Sequence, residues 1–261
     1  MNNGLKIITW NINSLRKRFS LMTALIAHEQ PDVLLLQETK VIDSEFDKLA
    51  TIPGYNVYRT GCIRFNGVAI YTRIKPTTIL TVLPHCNVST YRFIQINIQN
   101  LVIINVYIHQ GQRIGSTAYH DKLTFLTNLL HHITHLQQQQ YIVIIAGDFN
   151  IMPSDHDLYN ANHPEWSIYA MISPEERQAY QRLLNAGFVD IMSTRLPPHT
   201  YTRWEHFNSE HDRQRGYRLD HFLVPSAYVQ HVKHINVLTH WRSMPSPSDH
   251  APVSMVFNPT P

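Results

Sequence analysis

The sequence predicts an α/β protein in which two packed β-sheets lie between outer helices. Short apolar runs, rich in Ile and Val, recur along the 261 residues and indicate strands. Several runs, such as LVIINVYI at 101–108 and YIVIIAG at 141–147, are nearly continuous, which is typical of strands buried on both faces. Because the strands outnumber the helices and partly cluster in sequence, two packed sheets are favoured over one sheet with strictly alternating helices.

The apolar runs predict ten strands. In chain order they are Leu5–Trp10, Val33–Leu36, Val68–Thr72, Ile79–Leu83, Phe93–Ile98, Leu101–Ile108, Ile142–Ala146, Leu219–Val224, His234–Leu238 and Val253–Phe257. The run Phe93–Ile98 alternates apolar and polar residues, which predicts a strand that is buried on one face only. Gly147 is expected to end the strand before it.

Three helices are predicted between the strands. Leu15–Glu29 repeats apolar residues close to a 3.6-residue period, and Thr117–Leu136 does so over a longer stretch. Ser173 and Pro174, followed by two glutamates, predict the start of a third helix. Gly187 is the expected residue just beyond its end.

The composition is that of a globular protein. Hydrophobic residues make up 43% of the chain and charged residues 16%, so a sizeable core is expected and disordered or fibrous classes are excluded. We predict a single domain over residues 1–261. The formal net charge of +3 permits a polyanionic partner without requiring one.

The cysteine content and the N-terminal sequence predict a cytoplasmic protein. Two cysteines do not make a disulfide framework, and they are compatible with a reducing compartment. The first residues, MNNGLKIITWN, lack the pattern of a signal peptide. No apolar run approaches the ~20 residues of a membrane span, so no membrane partner is expected.

Polar side chains follow the ends of several predicted strands. Carboxylates and amides of Asp, Glu and Asn are hard oxygen donors, which suit Mg²⁺ or Mn²⁺. An Asp beside a His can orient and charge the imidazole for work on an anion. Taken singly, each position could equally be a turn, a helix cap or a structural ion pair. The positions in question are Asn11, Asn13, Gln37, Glu38, Thr39, Tyr107, Asp148, Asn150, Asp220, Asp249 and His250.

The order of these positions resembles the exonuclease III family of apurinic/apyrimidinic endonucleases, within the endonuclease/exonuclease/phosphatase superfamily. The segments LQET, GDFN and SDHAP mark the superfamily, and SPEER with YIHQGQR is closer to exonuclease III. Matching segments span almost the whole chain. They are TWNINSLR at 9–16, PDVLLLQETK at 31–40, GVAIYTR at 67–73, INVYIHQGQR at 104–113, IAGDFNIMPSDHDLYN at 145–160, SPEERQAYQRLLNAGFVD at 173–190, RGYRLDHFLV at 215–224 and RSMPSPSDHAPVSMVF at 242–257.

The resemblance implies a DNase I-like fold, a four-layer α/β sandwich of two mainly antiparallel mixed sheets flanked by helices. It implies a Mg²⁺- or Mn²⁺-dependent DNA repair nuclease that hydrolyses the phosphodiester 5′ to abasic sites in duplex DNA. Activity as a 3′→5′ exonuclease and on blocked 3′ ends is also implied. The partner would be duplex DNA with abasic sites or damaged 3′ ends, and the protein is expected to be a monomer.

The resemblance also implies the roles of individual residues. Glu38 would be the principal metal ligand, Asp148 the general acid or base, and His250 a donor to a phosphate oxygen. The implied catalytic residues are Tyr107, Asp148, Asn150, Asp220 and His250; the implied metal-binding residues are Asn11, Glu38, Asp148, Asn150, Asp249 and His250. Implied DNA contacts are Asn13, Arg16, Arg64, Arg113, Arg203, Trp204 and Arg215, with Lys17, Arg18, Arg213 and Arg218 as further basic candidates.

Some positions depart from the family pattern. Ser14 stands where family members often carry glycine, and His109 stands where proline is usual. In the loop YTRWEHF, Arg203 replaces the first of two adjacent aromatic residues, and Trp204 remains. The sequence leaves open the balance of abasic-site and 3′-end activities, the number of metals and the direction of proton transfer by Asp148. Another phosphoesterase on this fold, or a DNA-binding module without catalysis, is the alternative.

Overall fold

The computed structural model describes residues 4–49, 51–62, 66–161, 168, 170–205 and 215–258. Arg64 and Arg213, two of the implied DNA contacts, lie outside these residues. The strands are β1 Leu5–Asn11, β2 Val33–Gln37, β3 Asn56–Thr60, β4 Val68–Thr72, β5 Thr78–Leu80, β6 Phe93–Ile98, β7 Leu101–Tyr107, β8 Ile142–Asp148, β9 Phe188–Asp190, β10 Arg203–Trp204, β11 Gly216–Tyr217, β12 Asp220–Pro225, β13 Val232–Val237 and β14 Val253–Phe257. The α-helices are α1 Leu15–Glu29, α2 Asp43–Leu49, α3 Thr117–Gln138, α4 Pro174–Asn185 and α5 Ile191–Arg195.

Two six-stranded sheets of similar construction form the centre of the fold. The first has the order β13-β14-β1-β2-β4-β3, and the second has the order β5-β6-β7-β8-β12-β9. In each sheet the middle pair, β1–β2 or β7–β8, is parallel, and the neighbouring pairs are antiparallel. Each parallel pair is joined through a helix, α1 or α3, as parallel strands require. The predicted mixed, mainly antiparallel sheets are confirmed.

Alternate residues of the central strands face two different apolar layers. In β1, Ile7 faces the layer between the sheets, whereas Ile8 faces the layer beneath α1. In β7, Ile103 faces the inner layer and Ile104 faces the layer beneath α3 and α4. Because successive residues of a strand point to opposite faces, the central strands contribute side chains to three apolar cores. These three cores separate the four expected layers of helices and sheets.

The helix ends agree with the sequence prediction. Ser173 accepts a hydrogen bond from the backbone N–H of Glu176, and the Glu176 carboxylate accepts one from the backbone N–H of Ser173. Pro174 occupies the first helical position, and Gly187 has a φ of +97° just after the C-cap. Every helix among the described residues is too short or too polar to cross a bilayer.

Two predictions about strands were wrong in detail. The strand β6 is buried on both faces, because its polar residues Gln95 and Asn97 bond to each other and Gln95 also contacts His132. Gly147 does not end β8, which continues to Asp148. Gly147 has a φ of +142°, and a Cβ there would lie 2.0 Å from the carbonyl oxygen of Val106. Glycine therefore allows β8 to pass close to β7 and keeps Asp148 in the sheet.

Most of the helices and strands that the sequence did not predict are short. Helices α2 and α5 span seven and five residues, and strand β9 spans three, so none is long enough to show a clear period. The edge strand β3 carries polar residues and was also missed. The predicted strands Ile79–Leu83 and His234–Leu238 exist but begin and end earlier, as β5 and β13.

Candidate active site

The four strands of the two parallel pairs deliver polar side chains to one place between the sheets. Asn11 is the last residue of β1, and Glu38 directly follows β2. Tyr107 and Asp148 end β7 and β8 and stand opposite each other in register. The carboxyl ends of parallel strands are where α/β sheets position chemistry, and here two sheets contribute to the same place.

The Asn11 amide joins the two sheets. Its Nδ2 donates to Oε1 of Glu38 and to Oδ2 of Asp148, both at 2.9 Å. Its Oδ1 accepts from the backbone N–H of Asn13 at 3.1 Å. Asn11 is fully buried, so these bonds hold both carboxylates at fixed positions.

Glu38 is surrounded by donors. The Tyr107 hydroxyl donates to Oε1 at 2.9 Å, and Nζ of Lys40 lies 2.8 Å from Oε2. Burial raises the pKa of Glu38, but the Asn11 bond and the Lys40 ammonium outweigh burial and hold this pKa below its usual value. Burial and the nearby Glu38 and Asp148 charges raise the pKa of Tyr107, so its phenol keeps its proton. Glu38 is therefore an anion with one partly exposed face.

Asp148 has a different electrostatic environment. Burial, with the negative charges of Asp220 and Glu38, raises the pKa of Asp148 to about 7, against opposing effects of His250 and Asn11. Its Oδ1 accepts from the backbone N–H of Asn150 at 2.9 Å. A carboxyl group with a pKa near neutrality can either give or take a proton at physiological pH.

His250 and Asp220 form a buried pair beside Asp148. The Nδ1 atom of His250 lies 2.8 Å from Oδ2 of Asp220, and Nε2 lies 3.9 Å from Oδ2 of Asp148. Burial alone would lower the pKa of His250, but the Asp220, Asp148 and Asp249 carboxylates raise it to about 9. The ring is therefore an imidazolium at neutral pH, with its Nε2–H directed to the same space as Asp148.

Asp249 contributes a third carboxylate close to His250. Its Oδ1 accepts from Nδ2 of Asn13 at 2.9 Å, and its Oδ2 lies 3.4 Å from Nε of Arg203. Burial opposes ionisation of Asp249, but His250, Asn13 and Arg203 together lower its pKa to about 2. Asn13 also accepts from Nζ of Lys40 at 2.6 Å, which links Asp249 to the donors around Glu38.

The segment after β8 is held by the side chains of a lysine, a histidine and an arginine. Asn150 has a φ of +50°, so the backbone turns there, and Nδ2 of Asn150 donates to the Ile108 carbonyl. Nζ of Lys122 donates to the carbonyl of Asn150 at 2.7 Å. The next two carbonyls contact Nε2 of His221 at 3.1 Å and Nε of Arg177 at 3.1 Å. These bonds fix the backbone that carries Asp148 and Asn150.

Sequence reasoning missed these supporting residues. Lys122 pairs with Glu176 in the core between α3 and α4, and both side chains are fully buried. The His221 ring contacts Asp190 at 3.0 Å on the face of β12 opposite to Asp220. The Arg92 guanidinium lies 4.8 Å from the Tyr107 ring centroid. The one signal of these residues in the sequence was a charged residue within an apolar stripe, such as Lys122. A buried charge needs a partner, so such a residue indicates a buried ion pair.

The implied DNA contacts have varied environments. Arg16, Arg113 and Arg215 are exposed, whereas Arg203 is half-buried and stacks over the Tyr217 ring at 5.6 Å. Trp204 is 5% exposed, and the Arg242 guanidinium lies 3.9 Å from its ring centroid. Arg218 is buried and bound to Asp157 and to the Met192 carbonyl, so it does not reach a surface and was wrongly included.

Ser14 occupies a backbone conformation that favours glycine. Its φ is +91°, its side chain makes no cap bond to α1, and its backbone N–H donates to the Glu38 carbonyl at 2.8 Å. The loop therefore reaches Glu38 despite the serine, at a cost of about 1 kcal/mol for a left-handed residue with a Cβ.

Replacing Asp220 by Asn is expected to shift the pH dependence of turnover. The wild-type rate should fall as the pH rises through about 9, because His250 then loses its proton. Asp220→Asn removes the carboxylate that most favours the charged ring, so this alkaline limb should move down by about one pH unit or more. The pH–rate profile of both proteins measures the shift.

Asp190→Asn is the matched control for this prediction. It removes the carboxylate from the second buried Asp–His pair, Asp190 of β9 with His221 of β12, whose ring points away from Asp148. The control should unfold more easily but keep the alkaline limb near 9. An Asp220→Asn protein with an unshifted limb would show that the protonation of His250 does not control the rate.

Comparison with known proteins identifies a family and a similar protein over nearly the whole chain. The family model described as "Endonuclease/Exonuclease/phosphatase family" matches residues 8–250. Exodeoxyribonuclease III of Haemophilus influenzae is 32% identical to this chain, with 97% of this chain and 100% of that protein covered.

Two solved structures are similar over the same length. A variant of the 3′ phosphatase NExo from Neisseria, bound to a product DNA hairpin, superposes with a TM-score of 0.86 and 30% identity, covering 97% of this chain and 99% of that one. An AP endonuclease from Archaeoglobus fulgidus has a TM-score of 0.85 and 28% identity, with the same coverage of 97% and 99%.

Proposed function

Because this chain belongs to the endonuclease/exonuclease/phosphatase family, we propose that it is a DNA repair nuclease dependent on Mg²⁺ or Mn²⁺. Its substrates are duplex DNA with abasic sites, cut at the phosphodiester 5′ to the site, and DNA with 3′ ends to be trimmed or degraded. One observation carries the proposal: the Asn11 amide holds Glu38 and Asp148 together beside the His250–Asp220 pair.

The donor set fits a hard divalent cation. Two carboxylates meet at the Asn11 amide, and burial, together with the charges of Asp220 and Glu38, raises the pKa of Asp148 to about 7. Glu38 is the proposed principal ligand, with Asp148 and the amides of Asn11 and Asn150 close by. Asp249, which accepts a hydrogen bond from Asn13, is a further proposed ligand. A bound Mg²⁺ would polarise the phosphate and offset charge that develops on its oxygens.

The side chains have complementary roles toward a phosphodiester. Asp148 takes a proton from the attacking water or gives one to the leaving oxygen, and its pKa near 7 suits either direction. His250 donates from Nε2 to a phosphate oxygen while Asp220 holds Nδ1. Because Nδ1 is held by Asp220, Nε2 is the atom that faces the substrate, and we assign His250 to the phosphate. Tyr107 lies against the same phosphate and orients Glu38.

The surface beside the site suits a nucleic acid backbone. A depression next to Glu38 is lined by four cationic side chains and one acid, which favours phosphate binding. A monomer is the proposed oligomeric state. The lining residues are Asn13, Ser14, Arg16, Lys17, Arg18, Lys40 and Glu45.

A second candidate is a nuclease that acts mainly on 3′ ends. The loop carrying Arg203 and Trp204 is attached to the site, because the backbone N–H of Trp204 donates to the Asp249 carbonyl at 3.0 Å. The Arg242 guanidinium covers one face of the Trp204 ring. An extrahelical sugar would have to displace this cation to pack on that face, whereas a terminal phosphate would be attracted to it.

A substrate panel tests both candidates. We expect Mg²⁺-dependent cleavage of duplexes carrying an abasic analogue, a recessed 3′ end or a 3′ phosphate, and complete loss of cleavage with EDTA. The ratio of the three rates separates the first candidate from the second. Phospholipid and inositol phosphate substrates serve as controls: faster hydrolysis of these, or DNA binding without any cleavage, would overturn the proposal.

A further inference from the structure

A cluster of metal-binding side chains lies at the end of α1. His28 and Glu29 come from the last turn of this helix, and His240 comes from the 3₁₀ turn Thr239–Ser243. One ligand atom from each of the three side chains lies within 4.8 Å of the others. Among the described residues, this is the one group of three His, Cys, Asp or Glu side chains that is so arranged.

The distances within the cluster suit ligands of one ion. Oε1 of Glu29 lies 3.1 Å from Nδ1 of His28 and 3.9 Å from Nε2 of His240. The first pair is within hydrogen-bond distance, and the second is not. Ligands about 2.1 Å from a tetrahedral Zn²⁺ lie roughly 3.4 Å apart, between the two distances observed.

Neighbouring residues hold the three ligands in place. Nζ of Lys6 donates to Oε2 of Glu29 at 2.7 Å, which leaves Oε1 directed at the two histidines. Trp241 is 4% exposed and packs against both imidazoles, with its ring centroid 5.9 Å from His28 and 5.2 Å from His240. A carboxylate fixed by a second partner and an apolar wall behind the ligands are typical supports of metal sites.

We propose that His28, Glu29 and His240 bind a Zn²⁺ ion, separate from the cation of the proposed active site. Two imidazoles and one carboxylate select a transition metal over Mg²⁺, which prefers oxygen ligands. Three protein ligands leave the fourth tetrahedral position to water, since the two histidines are exposed.

The bound ion would connect two segments that are distant in sequence. It joins the end of α1 to the turn Thr239–Ser243, which also contains Arg242 above the Trp204 ring. Zn²⁺ binding therefore stabilises the turn that leads into the Asp249–His250 segment. The inference does not depend on the proposed nuclease activity, because its measurement is metal binding.

Zinc titration of the full chain in millimolar Mg²⁺ tests the inference. Calorimetry should detect one Zn²⁺ per chain, and saturating Zn²⁺ should raise Tm by roughly 5 °C. His28→Ala and His240→Ala should each lower the affinity by at least about tenfold, since even loss of a supporting residue costs that much. Both side chains are exposed, so both variants are expected to fold.

A second pair of histidines provides the matched control. His131 and His135 lie four residues apart on α3, a common spacing for adventitious metal binding. His131→Ala should leave the Zn²⁺ affinity and the Tm shift unchanged. A Tm shift that disappears in His131→Ala, or one that persists in both His28→Ala and His240→Ala, would overturn the proposal, as would a wild-type protein that binds no Zn²⁺.

Discussion

Asp148→Asn is expected to lower the turnover of abasic or 3′-blocked DNA by about 10²- to 10⁴-fold or more, because the amide cannot transfer the proton. The substitution keeps the shape of the side chain. An Asn oxygen can still accept from the Asn11 amide or from the Asn150 backbone N–H, so the geometry of the site should persist.

The same substitution should preserve DNA binding and stability. Burial opposes the ionised form of Asp148, so a neutral amide removes a cost and Tm should be equal to or above that of the wild type. Loss of a negative charge beside the phosphate should leave affinity for DNA unchanged or greater. Single-turnover cleavage and fluorescence anisotropy measure the two effects separately.

Asp155→Asn is the control for the loss of a carboxylate. Asp155 is exposed and pairs with Arg177, so its removal should leave the cleavage rate near that of the wild type. An Asp148→Asn protein that cleaves at the wild-type rate would exclude Asp148 from proton transfer and would end the assignment of the site.

Glu38→Ala is expected to raise the Mg²⁺ concentration needed for half-maximal activity by about 10- to 100-fold or more. Glu38 is an anion that two sheets hold in place through Asn11 and Tyr107. Its removal takes away the principal proposed ligand and leaves the Lys40 ammonium without its carboxylate, which repels a cation. A Mg²⁺ titration of the cleavage rate measures the change.

Glu45→Ala separates metal binding from general surface charge. Glu45 belongs to the depression beside the site and pairs with the exposed Arg16. Its removal should leave the Mg²⁺ requirement unchanged. If Glu38→Ala and Glu45→Ala had the same Mg²⁺ requirement as the wild type, Glu38 would not be a metal ligand.

The sequence predicted the elements whose signals are local. The strands β1, β2, β7 and β8 follow from short, mainly apolar runs, and the start of α4 follows from Ser173 and its neighbours. The resemblance placed Glu38, Asp148 and His250 in one site, and the structure brings them together through Asn11 and the 3.9 Å approach of His250 to Asp148. Their catalytic roles stay predictions.

The tertiary structure alone decided the charge states and the support of the site. The pKa of Asp148 is raised and that of Asp249 is lowered, although both residues are aspartates. Lys122, His221 and Arg177 hold three successive carbonyls from elements far apart in the chain. Periodicity and caps arise between residues a few positions apart, so a sequence displays them. Burial and electrostatic interactions depend on which distant segments become neighbours, and only the folded chain fixes that.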